Sequence, residues 1–307
     1  MGKIAFMFPG QGAQYTGMAR DFYDTFPVSR ETFEEASKIT GLDLADLCFT
    51  ENKKLDITEY TQIAMLTAEL AIANVIRDRN ITPDAASGLS LGEYGAVVMS
   101  GVMSQGDAFS IVLKRGQFME HEVPAGKGGM AAVLGLDADS IEEVCREESD
   151  AVQIANYNCP GQIVISGDKK EVEKVSEKLA QRGARRVIQL NVSGPFHSAM
   201  LKGAGEKLGE ELAKCELGTI EIPYVANVTA DYVTDASMVR ELLTKQVSSS
   251  VKFEQSVRKL IADGVTTFIE IGPGRTLSGF LRKIDRTVTV ISIEKVEDLA
   301  KLEAIEQ

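Results

Sequence analysis

Gly88-Leu89-Ser90-Leu91-Gly92 lies where a short apolar run, Ala85 to Ser87, gives way to a helical pattern. A G-x-S-x-G between a strand and a helix forms a tight elbow that exposes the serine hydroxyl. The flanking glycines leave room for the strained turn. The helix beginning near Leu91 aims backbone N–H groups at an incoming oxyanion. With 27 glycines in the chain the pattern alone carries little weight. Its strand-then-helix setting makes Ser90 the best nucleophile candidate.

The same alternation runs through much of the chain. Lys3 to Phe8 reads as a buried strand ending in Pro-Gly. Thr61 to Arg79 carries Met65, Ala68, Leu70 and Ile72 at helical spacing. Val225-Ala226-Asn227, Thr267 to Ile271 and Val288 to Ile291 read as further strands, so a mostly parallel α/β sheet is predicted. From about Gly126 to Asn191 the rhythm changes. Strand Met130 to Leu134, helix Asp139 to Glu147, strand Val152 to Asn156, strand Gln162 to Ser166, helix Lys170 to Arg182 and strand Arg186 to Leu190 follow in order. That β-α-β-β-α-β order is the ferredoxin-like pattern. The expected organisation is a small α+β domain, 126–191, inserted into a large α/β domain, 1–125 and 192–307. The Glu-rich tail after Glu294 is expected to face solvent and fray.

Composition narrows the function. The 307 residues carry 33 Lys and Arg against 45 Asp and Glu, a net charge of −12. Nucleic-acid binding needs basic surface to displace counterions, and an anionic membrane repels such a chain. The N-terminal apolar run is cut by Pro9, Gly10 and Gln11, so no signal peptide is expected. Cys48, Cys145, Cys159 and Cys215 are scattered without a C-x-x-C pair, and His121 and His197 are the only histidines. No metal site is therefore expected, and the thiols are expected to be reduced. A cytoplasmic enzyme is the default reading.

A serine nucleophile needs a base. His197 lies in Ser193-Gly194-Pro195-Phe196-His197-Ser198, a loop after the last small-domain strand, where it can project into a cleft between domains. His121 reads as a surface residue at a helix C-terminus, where positive charge is favourable. His197 is the favoured base. Gly10-Gln11-Gly12 invites a dinucleotide reading that fails because Tyr15 takes the third glycine position. A turn presenting backbone N–H groups remains, with Gln11 beside an oxyanion. In the helix Asp107 to Glu120, Ile111, Val112, Phe118 and Met119 put Arg115 on the apolar face. A buried arginine needs an anionic partner, and its planar fork suits a substrate carboxylate.

Seven segments in order resemble malonyl-CoA:acyl carrier protein transacylases of type II fatty-acid synthesis. They are Phe8 to Gln14, Gly88 to Tyr94, Arg115-Gly116, Asn156-Tyr157-Asn158, Pro160-Gly161-Gln162, Gly194 to His197 and Ile271 to Gly274. The resemblance covers nearly the whole chain and implies a hydrolase-like α/β domain with a ferredoxin-like insert. It implies that Ser90 carries a malonyl ester, that His197 is base and then acid, and that the N–H groups of Gln11 and Leu91 form the oxyanion hole. Arg115 would hold the malonyl carboxylate with Gln62 nearby, and Asn158 and Phe196 would line the substrate site. Phe196 resembles the choice of malonyl-selective relatives, leaving little room for a methyl branch. The family orients its histidine with a backbone carbonyl, which falls here near Ser250 to Lys252, although Ser250 replaces the usual proline. Leu89 stands where the family commonly has histidine.

The implied reaction is ping-pong transfer from malonyl-CoA to the phosphopantetheine thiol of acyl carrier protein, with no bound cofactor and a monomeric enzyme. Carrier docking is expected on basic residues, among Lys169, Lys170, Arg185 and Arg186 of the small domain and Arg275, Arg282 and Lys283 of the large one. Two other classes stay open. A serine esterase shares the elbow, but its acid normally precedes the histidine, and only Asp137 and Asp150 offer themselves. A binding module retaining the fold as a scaffold is the other.

Overall fold

β-branched and apolar residues fill the short strand runs, and the connections between them are long enough for helices, so strands pair in parallel. The computed structural model describes residues 2–305. Its strands are β1 (Lys3–Phe8), β2 (Ala85–Gly88), β3 (Gly128–Leu134), β4 (Val152–Cys159), β5 (Gln162–Asp168), β6 (Arg186–Gln189), β7 (Tyr224–Val225), β8 (Tyr232–Val233), β9 (Val265–Ile271) and β10 (Thr289–Ile293). A six-stranded sheet has the order β10-β9-β1-β2-β7-β8. Its pairings are parallel except for β8, which runs antiparallel to β7 at one edge. From β1 the chain builds first toward β2 and later toward β9. This reversal of strand order opens a crevice at the carboxyl ends of the central strands.

The helix Thr58–Asp78 is apolar almost all round, and nearly all of its residues are buried. A helix of that composition is stable only inside a core. It packs there with Phe6, Phe8, Phe109 and Val112.

The four-stranded sheet has the order β4-β5-β3-β6, and every pairing is antiparallel. Its connectivity is the ferredoxin-like one expected from the strand rhythm. Alternation along β3 separates two faces. Ala131 and Val133 join Ile141, Val172 and Leu179 beneath the two helices. Met130 and Ala132 face the other way, onto the cleft. β4 also bridges to the six-stranded unit, because Tyr157 N–H donates to the Val251 carbonyl at 2.9 Å and Val251 N–H to that of Ala155 at 2.8 Å.

Two expectations are corrected. The run Val225-Ala226-Asn227 is not all strand, since β7 ends at Val225 and Asn227 turns inward, fully buried. Up to Ile305 the tail is not a frayed solvent-facing end, and Glu306 and Gln307 lie outside the described residues. Val296–Ala304 forms a 3-10 helix, with Leu299 and Leu302 buried in the main core. Two leucines three residues apart outweigh the acidic composition, because burying each removes an apolar side chain from water. Leu302→Ala should therefore lower stability by about 2–4 kcal/mol. Denaturant melts of the two proteins check this, and a change under 0.5 kcal/mol would return the tail to the surface.

Candidate active site

The elbow follows from packing. β1 and β2 run side by side until Phe8 lies opposite Gly88, and the chain then turns sharply into the helix Gly92–Met99. A Cβ on Gly88 would strike the backbone of Gly92, and one on Gly92 would strike the Phe8 carbonyl. Only glycine permits so close a crossing. Ser90, between them, is held at φ 55°. A left-handed conformation is costly for a residue with a Cβ, so it persists only where neighbours enforce it. Here Ser90 N–H donates to Asn227 Oδ1 at 2.7 Å, and Gln246 Nε2 donates to the Ser90 carbonyl at 2.8 Å.

His197 also takes a left-handed conformation, φ 58°. Gln153 of β4 clamps its loop, donating from Nε2 to the His197 carbonyl and accepting from Ala199 N–H, both at 3.0 Å. The imidazole is 3% exposed. Nε2 lies 2.7 Å from Ser90 Oγ, and Nδ1 lies 2.8 Å from the Gln246 carbonyl. A carbonyl only accepts, so Nδ1 carries the proton and Nε2 offers its lone pair to the serine O–H. Burial, and then the Arg115 charge, push the imidazole down to about 4, although the Gln246 and Ser249 carbonyls pull the other way. The ring is a neutral base over the whole physiological range.

That carbonyl corrects an expectation. It belongs to Gln246, not to the Ser250–Lys252 segment. Gln246 ends the helix Val239–Gln246, where carbonyls lack partners within the helix and carry the negative end of its dipole. Ser250 instead donates its hydroxyl to the Ile154 carbonyl of β4, and Lys252 N–H donates to the Asn227 carbonyl. Ser250 thereby joins the two sheets, and the Lys252 carbonyl is committed to the N–H and hydroxyl of Ser256.

Arg115, on the helix Gln105–His121, is 1% exposed. Nη1 donates to Gln62 Oε1 at 2.6 Å, and Nη2 donates to Gln246 Oε1 at 3.0 Å and to Ser90 Oγ at 3.2 Å. All three acceptors are neutral, and Nε has no partner. Gln11 follows β1, and its Nε2 donates to Thr58 Oγ1 at 3.1 Å. Among the described residues the main-chain N–H groups of Gln11 and Leu91 have no acceptor. Free donors at a helix start suit an oxyanion. His121 lies away from this group, largely exposed, with Nε2 3.4 Å from Glu59 Oε2.

A cleft of about 420 Å3 contains Ser90, His197, Arg115, Gln62, Gln11 and Leu91. The small sheet supplies Met130, Asn156, Asn158 and Val164 to its other wall. Asn158 keeps its buried Oδ1 without a partner, and Phe196 closes one side, 7% exposed. Leu89 lines the cleft beside Phe280, so an apolar wall stands next to the serine. The basic residues considered for docking are partly committed. Arg275 Nε lies 3.8 Å from Glu294, and Lys283 donates to Gln162 Oε1 at 3.0 Å.

Sequence reading did not find Asn227, Gln246, Gln153 or Glu93. Glu93 is fully buried, and its Oε2 accepts from Gln246 Nε2 at 2.7 Å and Asn227 N–H at 3.1 Å. Its place in the first turn after the elbow was the one available signal.

The geometry permits proton transfer from Ser90 Oγ to His197 while Gln11 and Leu91 receive the charge on an attacked carbonyl. An enzyme that passes acyl groups through a serine ester is the class this fold and site define. The chain belongs to the acyl transferase domain family, whose model matches residues 5–300. It is 46% identical over 303 residues to the malonyl CoA-acyl carrier protein transacylase of Bacillus subtilis, covering 97% of this chain and 96% of that one. The solved malonyl CoA-acyl carrier protein transacylase of Clostridium perfringens matches with a TM-score of 0.95 and 41% identity, over 99% of this chain and 98% of that chain. A malonyl-transacylase solved in complex with its type II PKS acyl-carrier protein matches with a TM-score of 0.94 and 37% identity, over 97% and 98%.

Because His197 is held neutral, acylation of Ser90 by an uncharged thioester should stay level down to about pH 6. It should then fall with an apparent pKa of about 4. A pH profile of the acylation half-reaction tests this. A break near the ordinary histidine value of 6.5 would mean that the ring is solvated.

Proposed function

We propose that this chain transfers malonyl from malonyl-CoA to the phosphopantetheine thiol of acyl carrier protein, through a malonyl ester on Ser90. The observation that carries the reading is Arg115, a buried guanidinium whose acceptors are all neutral, 3.2 Å from the nucleophile. A malonyl group has its carboxylate two bonds beyond its reacting carbonyl, so an ester on Ser90 brings that carboxylate to the guanidinium. Gln62 and Gln246 each hold the guanidinium through one N–H. The N–H that meets Ser90 Oγ and the unpartnered Nε remain for charge-assisted bonds to the carboxylate.

In the first half-reaction Ser90 Oγ attacks the thioester carbonyl while its proton passes to His197 Nε2. The Gln11 and Leu91 N–H groups bind the oxyanion. The C–S bond breaks, and His197 returns the proton to the CoA sulfur. In the second, the carrier thiol gives its proton to His197 and attacks the ester. The C–Oγ bond breaks, and Ser90 recovers its proton. The helix-end carbonyl of Gln246 stabilises the imidazolium less than a carboxylate would. A weaker base suits a site where thiol must outrun water.

No bound cofactor enters these steps. The small unit is assigned to 126–191, with the large unit on either side. Phe196 excludes a methyl branch from the acyl group, and Asn158 accepts a hydrogen bond from the incoming thioester arm. Carrier docking falls on basic surface residues, with Lys169, Lys170, Arg185, Arg186 and Arg282 free to take part, so transfer should weaken with salt. We read the enzyme as a cytoplasmic monomer. No helix among the described residues is long and apolar enough to cross a membrane.

Arg115→Ala should reduce malonyl transfer about ten- to a hundred-fold more than acetyl transfer, since a charge-assisted contact contributes roughly 1.5–3 kcal/mol. Parallel assays of kcat/KM with malonyl-CoA and acetyl-CoA decide it. Equal losses would make Arg115 structural.

A further inference from the structure

Arg115 has no charged acceptor, yet a buried cation needs a counter-charge near it. The structure supplies one at a single remove. Arg115 Nη2 donates to Gln246 Oε1 at 3.0 Å, and Gln246 Nε2 donates to Glu93 Oε2 at 2.7 Å. One amide therefore links a fully buried guanidinium to a fully buried carboxylate. Gln246 cannot reverse its amide, because Nε2 faces three acceptors, Glu93 Oε2, the Ser90 carbonyl and Asn227 Oδ1. The arrangement balances the charge of Arg115 without placing a carboxylate on its fork. A carboxylate bound directly would compete with the substrate.

We propose that Glu93 is the counter-charge of Arg115, acting through Gln246, and that it sets how strongly the pocket prefers a carboxylated acyl group to an uncharged one. The inference rests on the reading that Arg115 receives the malonyl carboxylate. Once that group is bound, two carboxylates share one guanidinium, which favours a proton on Glu93. In the unloaded site burial raises the Glu93 carboxyl to about 7, with its hydrogen bonds to Gln246 and Asn227 and the Arg115 charge opposing. Malonyl binding raises it further, so binding takes up a proton and weakens as pH climbs through about 7.

The other titratable groups facing Glu93 do not change charge there. Tyr94, on its own helix, and Tyr224, on β7, are both raised by burial. His197, beyond Arg115, is neutral above about 4. Asn227 and Gln246, the remaining contacts, do not titrate. Glu93 is thus a positioning and specificity residue that touches no reacting atom.

The test uses Ser90→Ala protein, which binds donors without being acylated. Affinities for malonyl-CoA and acetyl-CoA are measured by calorimetry at pH 6 and pH 8, in buffers of different ionisation enthalpy. The malonyl-to-acetyl affinity ratio should fall by up to about tenfold across that interval, with proton uptake on malonyl binding only, because a carboxyl that titrates at about 7 in the unloaded site takes up a full linked proton only over the upper half of the interval. Adding Glu93→Gln, which keeps an acceptor for Gln246 and Asn227, should hold the ratio level within about twofold and abolish the uptake. The same pH dependence with Glu93→Gln, or no proton uptake with Glu93 present, overturns the proposal. The second result needs no Glu93 variant, so it stands even if that protein misfolds. No preference for malonyl-CoA at either pH is a different failure, since it removes the role of Arg115 itself.

Discussion

The crossing of the Gly88–Gly92 elbow over the end of β1 is the contact on which the site depends. Phe8 and Gly88 lie opposite one another in register. A Cβ on Gly92 would strike the Phe8 carbonyl, and one on Gly88 would strike the elbow's own return at Gly92, so neither glycine tolerates one. Because of that approach Ser90 sits at φ 55°, Leu91 starts a helix, and the turn carrying Gln11 lies beside both. A looser crossing would let the serine relax into an ordinary turn. Ser90 and the unpaired N–H groups of Gln11 and Leu91 would then no longer share one end of the sheet. Asn227 and Gln246 hold the strained turn from the far side, so strain at the nucleophile is balanced by hydrogen bonds from distant loops.

Gln246 ties three tasks together. Its main-chain carbonyl orients His197, its Oε1 accepts from Arg115, and its Nε2 holds the elbow and Glu93. Ser90, His197 and Arg115 are thereby fixed relative to one residue at the end of one helix. Under the proposed function, such sharing couples acyl choice to chemistry. A change at Gln246 would disturb all three, whereas a change at Glu93 reaches Arg115 through a single amide.

The sheet and the elbow were legible because their signals are local. Strand Lys3–Phe8 is where the apolar run placed it, and the small-sheet strands fell within a few residues of their expected bounds. Ser90, His197 and Arg115 were readable from a motif, a scarce residue type and a helical face, and all three meet in one cleft. Asn227 and Gln246 were not readable, since they reach Ser90 and Glu93 across 134 to 156 residues of sequence, and Glu93 offered only its place in the first turn after the elbow. The His197 partner was misplaced for the same reason. Ser250 and Lys252 lie close in sequence, but the helix ends at Gln246, and it is the helix-end carbonyl that meets the ring. In the tail, acidic composition masked Leu299 and Leu302, whose burial only the tertiary structure reveals.

The central claim is that Ser90 carries the acyl group between two thiols. Intact-protein mass measured seconds after mixing with malonyl-CoA tests it most directly, with a Ser90→Ala control and a later addition of holo acyl carrier protein. The account predicts a malonyl adduct on the native chain, none on the control, and its discharge onto the carrier. Steady release of CoA into water without discharge to the carrier would contradict it and point to a hydrolase. No adduct and no CoA would leave the fold as a scaffold.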